Sequence, residues 1–218
     1  MTGATSFHVS FSQEPLKYQM PPDDIVKIVD APSTPVVSVS PDGSVIVVID
    51  RPPIITMKEL SAEELRLGGI RINPATNGPG RQTLNKGFRL LNIDGTNPRI
   101  ISGIPVNAAL GSPLWSADGS RFAFTNTTSR GIELWICDVN PAKAVRIAEN
   151  LNMVFGNPVS WLPGSSGLIY LATDPGRGSL PFRSPVPDGP VVQENLGKQG
   201  QAATYQDLLR DQTDEAVF

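Results

Sequence analysis

Apolar residues in this chain come in short runs closed by turn-forming residues, and the runs repeat. Three segments share one pattern: Val36-Val37-Ser38-Val39-Ser40-Pro41-Asp42-Gly43-Ser44-Val45-Ile46-Val47-Val48, then Ser112-Pro113-Leu114-Trp115-Ser116-Ala117-Asp118-Gly119-Ser120-Arg121-Phe122-Ala123-Phe124, then Asn157-Pro158-Val159-Ser160-Trp161-Leu162-Pro163-Gly164, completed by Ser165 to Tyr170. Each predicts strand, turn, strand. Asp-Gly between β-rich runs is a strong hairpin signal, because a tight turn needs positive φ and Gly adopts it without steric cost. Trp115 and Trp161 occupy matching places 46 residues apart, within the span of about 40 to 50 residues of a four-stranded propeller blade.

The second unit supplies the rest of a blade. Strands are expected over Ile132 to Val139 and Ala144 to Ala148, with a turn at Asn140-Pro141. From Val39 to Trp115 the spacing is 76 residues, about 30 more than one period, which requires an insertion. A stretch rich in Pro, Gly and Asn separates the first hairpin from an outer pair, Phe88 to Ile93 and Arg99 to Ile104, turned at Asp94-Gly95. Within it, Ser61-Ala62-Glu63-Glu64 reads as a capping box, with Leu60 and Leu65 as a staple and Gly68-Gly69 as a stop, predicting a helix from Ala62 to Leu67. Another short helix is expected where Pro22 fits a first helical position and Asp23 and Asp24 suit the first turn. A third is expected over Thr204 to Leu209. The run Val45 to Ile49 lacks alternation, which predicts burial on both faces.

These elements give an all-β fold, a partial β-propeller of about three four-stranded blades with short helical insertions. Residues 1–35 form a lead segment, 36–104 blade 1 with a long insertion at 52–87, 105–155 blade 2, and 156–218 an incomplete blade 3 with an irregular insertion and a short helix. Composition agrees: 20 Gly and 21 Pro in 218 residues suit many turns. A net charge of −3 provides no basic field for nucleic acid. The longest aliphatic run is five residues, far below the ~20 of a membrane span. No secretory or transit signal is recognisable, which leaves a cytoplasmic location by default.

Several flanking segments carry a more specific signal. Ile28-Val29-Asp30-Ala31-Pro32, Gly69-Ile70-Arg71-Ile72-Asn73, Ile101-Ser102-Gly103-Ile104-Pro105, Gly189-Pro190-Val191-Val192-Gln193-Glu194-Asn195 and Thr204-Tyr205-Gln206-Asp207-Leu208-Leu209 resemble, in order, segments of the glutamyl endopeptidases of bacteria and plant chloroplasts. These are serine peptidases of the prolyl-oligopeptidase type, family S9. The Trp115-Ser116-Ala117-Asp118-Gly119-Ser120 core and the strand Leu134 to Val139 resemble the blades of that fold. The resemblance implies a longer parent in which about seven blades precede an α/β-hydrolase domain and gate peptide access to its Ser-Asp-His site. It implies, as partners, further C-terminal blades, that hydrolase domain and, through the parent, peptide substrates.

Chemistry of its own is scarce. A Ser-His-Asp site needs an imidazole, and the sole histidine, His8, lies in a polar tail. No Gly-x-Ser-x-Gly elbow is present; Gly164-Ser165-Ser166-Gly167 is one residue short and falls in a repeat turn. One His and one Cys far apart offer no thiolate or imidazole metal site. The Asp-Gly segments, Asn92-Ile93-Asp94-Gly95 included, lack the further acids of a calcium loop, and Gly78-Pro79-Gly80-Arg81 lacks the ending of a phosphate loop. Cys137 reads as a buried, inert thiol and both tryptophans as core. The expectation is therefore no catalytic, cofactor or metal residue. The alternative is a stand-alone protein-binding propeller of the TolB-like or WD-repeat kind.

Overall fold

The computed structural model of the protein describes residues 19–176, 178–181, 197, 208–209 and 211–218. In chain order they form α1 (Asp23–Val29), β1 (Val36–Val39), β2 (Val45–Asp50), α2 (Met57–Leu60), β3 (Leu65–Leu67), β4 (Ile70–Asn73), β5 (Gly78–Pro79), β6 (Gly87–Asn92), β7 (Arg99–Ile100), β8 (Leu114–Trp115), β9 (Arg121–Thr127), β10 (Ile132–Asp138), β11 (Lys143–Ala148), β12 (Ser160–Trp161), β13 (Leu168–Ile169) and α3 (Gln212–Val217). Residues 1–31 form one compact unit and residues 32–218 another. In the first, α1 has Asp23 and Asp24 in its opening turn, where they complement the helix dipole, and Pro22 stands at the N-cap, one place before the expected first helical position.

The second unit is built from antiparallel sheets. Four strands in the order β1-β2-β6-β7 make one blade, and four in the order β11-β10-β9-β8 make the next. β12 and β13 pair as a further hairpin. This is a partial propeller in which strands adjacent in a blade are adjacent in the chain, apart from the insertion between β2 and β6. The two blades pack face to face. Val47, Ile49, Phe88 and Leu90 from the first meet Phe122, Phe124, Trp135 and Cys137 from the second in one core. Phe88 sets its ring at 77° to Phe122 and 89° to Phe124, with centroids 6.0 and 5.3 Å apart, the edge-to-face geometry that aromatic quadrupoles favour. The opposite face of the second blade packs Ala123, Ile132 and Leu134 against Leu151, Met153 and Val159.

Burial distinguishes the two blades. β9 is buried at five consecutive positions, Phe122 to Asn126, as a strand covered on both faces should be. In β2, buried and half-buried residues alternate, which corrects the expectation of burial on both faces. Val45, Val47 and Ile49 face the second blade, whereas nothing among the described residues fully covers Ile46 and Val48.

The Asp-Gly turns carry their glycines at positive φ, as expected, and repeat one hydrogen-bond pattern. Ser40 N donates to Val45 O and Gly43 N to Ser40 O, and the second blade repeats this with Ser116 N to Arg121 O and Gly119 N to Ser116 O. Only the glycine takes positive φ, 71° at Gly43 and 69° at Gly119. The turn is thus a type I hairpin turn ending in a left-handed glycine. The serine hydroxyls repeat as well, Val45 N donating to Ser40 Oγ at 3.0 Å and Arg121 N to Ser116 Oγ at 3.0 Å.

The insertion holds the clearest correction. Ala62 to Leu67 is not helical: the helix is α2, which starts five residues earlier in the chain. Its capping box is Thr56 with Glu59, each side chain reaching the other's backbone N–H, while Ser61 is its C-cap. Leu65 begins β3, which pairs with β4 across Gly68-Gly69, both at positive φ. The glycine pair turns a hairpin here instead of stopping a helix. β5 adds a third strand to this small sheet. The outer pair of the first blade is shorter than expected, with Arg99–Ile100 its second strand. Of the expected helix at 204–209, residues 204–207 lie outside the described residues, and Leu208 and Leu209 carry no regular structure. The described terminal helix is α3, capped by the Asp211 carboxylate accepting from Asp214 N.

Candidate functional site

The residues that could carry chemistry are committed to holding the repeats together. Ser165, from the shortened elbow-like segment, is 3% exposed at φ 58°. Its hydroxyl accepts from Asp118 N at 3.2 Å and its carbonyl from Arg121 Nη2 at 2.6 Å. The Arg121 guanidinium also lies 5.3 Å from the Trp161 ring centre, a cation–π distance. Between the first two blades the equivalent turns also touch, with Gly119 against the Asp42 carboxylate. His8, Gly189 to Asn195 and Thr204 to Asp207 lie outside the described residues.

Both repeat tryptophans are partly buried against the two cores, as expected, and their indole N–H groups add a function that the sequence does not mark. Trp115 Nε1 donates to Ser38 Oγ at 2.9 Å, and Trp161 Nε1 donates to Leu114 O at 2.9 Å. Ser38 and Leu114 hold the same place in successive repeats. Each indole therefore reaches back one repeat to the same position.

The aspartates of the turns are occupied locally. Asp42, Asp94 and Asp118 each accept from the backbone N–H two residues on, at 3.3, 2.9 and 3.1 Å. The Ser116 hydroxyl, 2.6 Å away, is the largest cause holding Asp118 down at about 2. Hydroxyls of Ser40 and Ser44 lower Asp42, and that of Thr96 lowers Asp94. Among the described residues no group of three or more His, Cys, Asp or Glu could hold a metal ion. Cys137 is fully buried; burial, then the Asp138 charge, pushes its thiol up to about 12. Such a thiol is protonated and a poor nucleophile at neutral pH. A cleft of about 320 Å³ between residues 82–85, Gly111-Ser112 and the 153–159 segment has Leu114, Phe124, Leu134 and Met153 in its walls, with no titratable side chain. No helix among the described residues is long and apolar enough to cross a membrane.

What remains is a surface. On the free side of the first blade, Val37, Val48, Arg89 and Ile100 form one cross-strand row and Val39, Ile46 and Leu91 the next. Val37, Val39 and Ile100 are 57, 47 and 85% exposed.

The chain is 32% identical over 216 aligned residues to the rice (Oryza sativa subsp. japonica) protein named "Probable glutamyl endopeptidase, chloroplastic", covering 92% of this chain and 23% of the rice protein. The Arabidopsis thaliana protein of the same name is 33% identical over 215 residues, covering 92% and 22%. This chain is a relative of part of these glutamyl endopeptidases. The resemblance read from the flanking segments is borne out, and the chain spans under a quarter of the length of the curated relatives it matches. A solved structure of acylaminoacyl peptidase in complex with Z-Gly-Gly-Phe-chloromethyl ketone aligns with a TM-score of 0.37 at 13% identity, covering 84% of this chain and 22% of that one. No family model matches the chain.

Proposed function

We propose that this chain is a non-catalytic propeller portion of a glutamyl-endopeptidase-like serine peptidase, contacting further blades and an α/β-hydrolase domain and gating the access of peptides to it. The observation that carries the reading is the free face of the first blade. Its sequence is written for burial on both sides, with Ile46 and Val48 as apolar as Val45 and Val47, yet Val37, Val39 and Ile100 on that face stand exposed. Contiguous apolar surface of this kind marks an interface. A neighbouring blade is the occupant that matches it, since the equivalent face of the second blade, with Phe122 and Phe124 at the places of Ile46 and Val48, is covered by the blade before it. The same face disfavours a stand-alone scaffold, which would leave it in water.

The test uses a fluorogenic glutamyl peptide and a serine-directed fluorophosphonate. The chain alone is expected to give neither turnover nor labelling, because acyl transfer needs an activated serine, an imidazole and oxyanion donors. Joined to the rest of a relative's sequence, it is expected to confine cleavage to short peptides, and its removal to admit folded proteins. Stoichiometric labelling of a serine in the chain alone, or unchanged size selection after its removal, would overturn the reading.

A further inference from the structure

The hairpin of the insertion carries a charge arrangement that blade packing does not use. Arg66 and Arg71 are register partners across β3 and β4, and like charges directly opposite one another destabilise a sheet. Arg81 joins them from beyond β5. All three converge on Glu64, whose Oε1 lies 3.4 Å from Arg66 Nε and 3.3 Å from Arg71 Nη1, and whose Oε2 lies 3.5 Å from Arg81 Nε. The Glu64 side chain is 8% exposed, against 51, 48 and 51% for the arginines. Three guanidinium groups around one carboxylate leave a local balance of +2 in a chain of net charge −3.

Two further features set the cluster apart from an ordinary ion-pair network. Glu64 Oε2 is buried and takes no hydrogen bond, so the carboxylate acts as a counter-charge that gathers the arginines without saturating them. Arg66 and Arg81 approach it through Nε, and their Nη groups make no hydrogen bond among the described residues. Arg81 itself sits at φ 53°, a left-handed conformation that costs an arginine strain where Gly or Asn would be at ease. Gly80 runs so close to Glu64 that a Cβ there would fall 2.6 Å from Oε2.

We propose that Arg66, Arg71 and Arg81, gathered on Glu64, form an exosite for an acidic peptide segment. Guanidinium forks match carboxylates in charge and geometry. A nucleic acid would need an extended basic track and stacking aromatics, whereas this patch is a compact group of three arginines around one carboxylate. The site stands apart from gating: it binds a segment and cleaves nothing.

The test measures fluorescence anisotropy of a labelled Gly-Ser peptide carrying four glutamates, titrated with the full chain at low and moderate salt. A glutamine version and a single-stranded oligonucleotide of equal charge serve as competitors. Saturable, salt-sensitive binding is expected for the glutamate peptide, weakened roughly tenfold by Arg81→Asn and by Arg66→Gln. Because Asn tolerates the left-handed backbone, Arg81→Asn is expected to leave the melting midpoint unchanged or slightly raised. Failure of the glutamate peptide to bind, equal binding of the glutamine peptide, stronger binding of the oligonucleotide, or indifference to both substitutions would overturn the proposal. So would a fall in midpoint with Arg81→Asn, which would mark the cluster as a structural brace. None of these readouts involves turnover, so the outcome is independent of the gating assay.

Discussion

A double-mutant cycle on Trp115 and Ser38 measures how firmly one repeat is tied to the next. The pair is joined by a 2.9 Å hydrogen bond between residues 77 apart in sequence, and the Trp115 ring also packs on Phe122 with centroids 5.2 Å apart. Ser38→Ala removes only the acceptor, and since both residues are partly accessible the indole N–H can turn to water, so the expected cost is about 0.5–1 kcal/mol. Trp115→Phe keeps a ring against Phe122 but removes the donor and part of the packed surface, for about 2–3 kcal/mol. The double variant is expected to be more stable than the sum of the two by about 1 kcal/mol, the part that belongs to the bond. Urea unfolding followed by far-UV circular dichroism gives all three values without relying on tryptophan emission. A coupling below about 0.3 kcal/mol would refute the idea that the repeated indole contact helps to hold successive repeats together.

The geometry sets three other outcomes. Thr56→Ala is expected to cost about 1 kcal/mol through loss of the capping box, and Ser61→Ala well under half of that, measured by the same urea titration. Gly103→Ala is expected to destabilise by more than about 2 kcal/mol, because φ is 89° and the new Cβ would be driven into the Ala144 carbonyl; a melting curve unchanged by it would contradict that close approach. Asp118, held at about 2, favours the folded state above its ordinary value of 3.8 and loses that contribution as pH falls from there through about 2. Asp118→Asn should therefore flatten the acid limb of a stability-versus-pH profile.

Much of the blade was legible because its signals are local. Asp42-Gly43 and Asp118-Gly119 mark turns whose chemistry lies within five residues, and β-branched or aromatic runs flank them. The insertion misled for a specific reason. The capping pattern occurs twice five residues apart, at Thr56 to Glu59 and at Ser61 to Glu64, and only the residues C-terminal to each box tell them apart. Leu65-Arg66-Leu67-Gly68-Gly69-Ile70-Arg71-Ile72 alternates around a glycine pair, a hairpin pattern that outweighs the second box. Glu64 is then drawn to arginines as many as 17 positions away, which no local rule reports. The reach of Trp115 to Ser38 was equally hidden, since Ser38 looks like any strand serine. One-sided burial of β2 could not be read either, because it depends on which neighbour is present and the residues themselves are apolar on both sides.

The insertion also bears on chain entropy. Thirty-six residues, 51 to 86, connect β2 to β6, where four, 128 to 131, connect β9 to β10. At about 0.6 kcal/mol per doubling of loop length, roughly three doublings raise the closure cost by only about 2 kcal/mol. The longer connection has regular structure of its own, with α2 and the three strands ordering many of its residues. An excursion of this kind can change in length or content while the hydrogen-bond ladder between β2 and β6 stays as it is. The propeller thus has a position where new surface chemistry, such as the arginine cluster, can be added or removed without rebuilding the sheet that carries it.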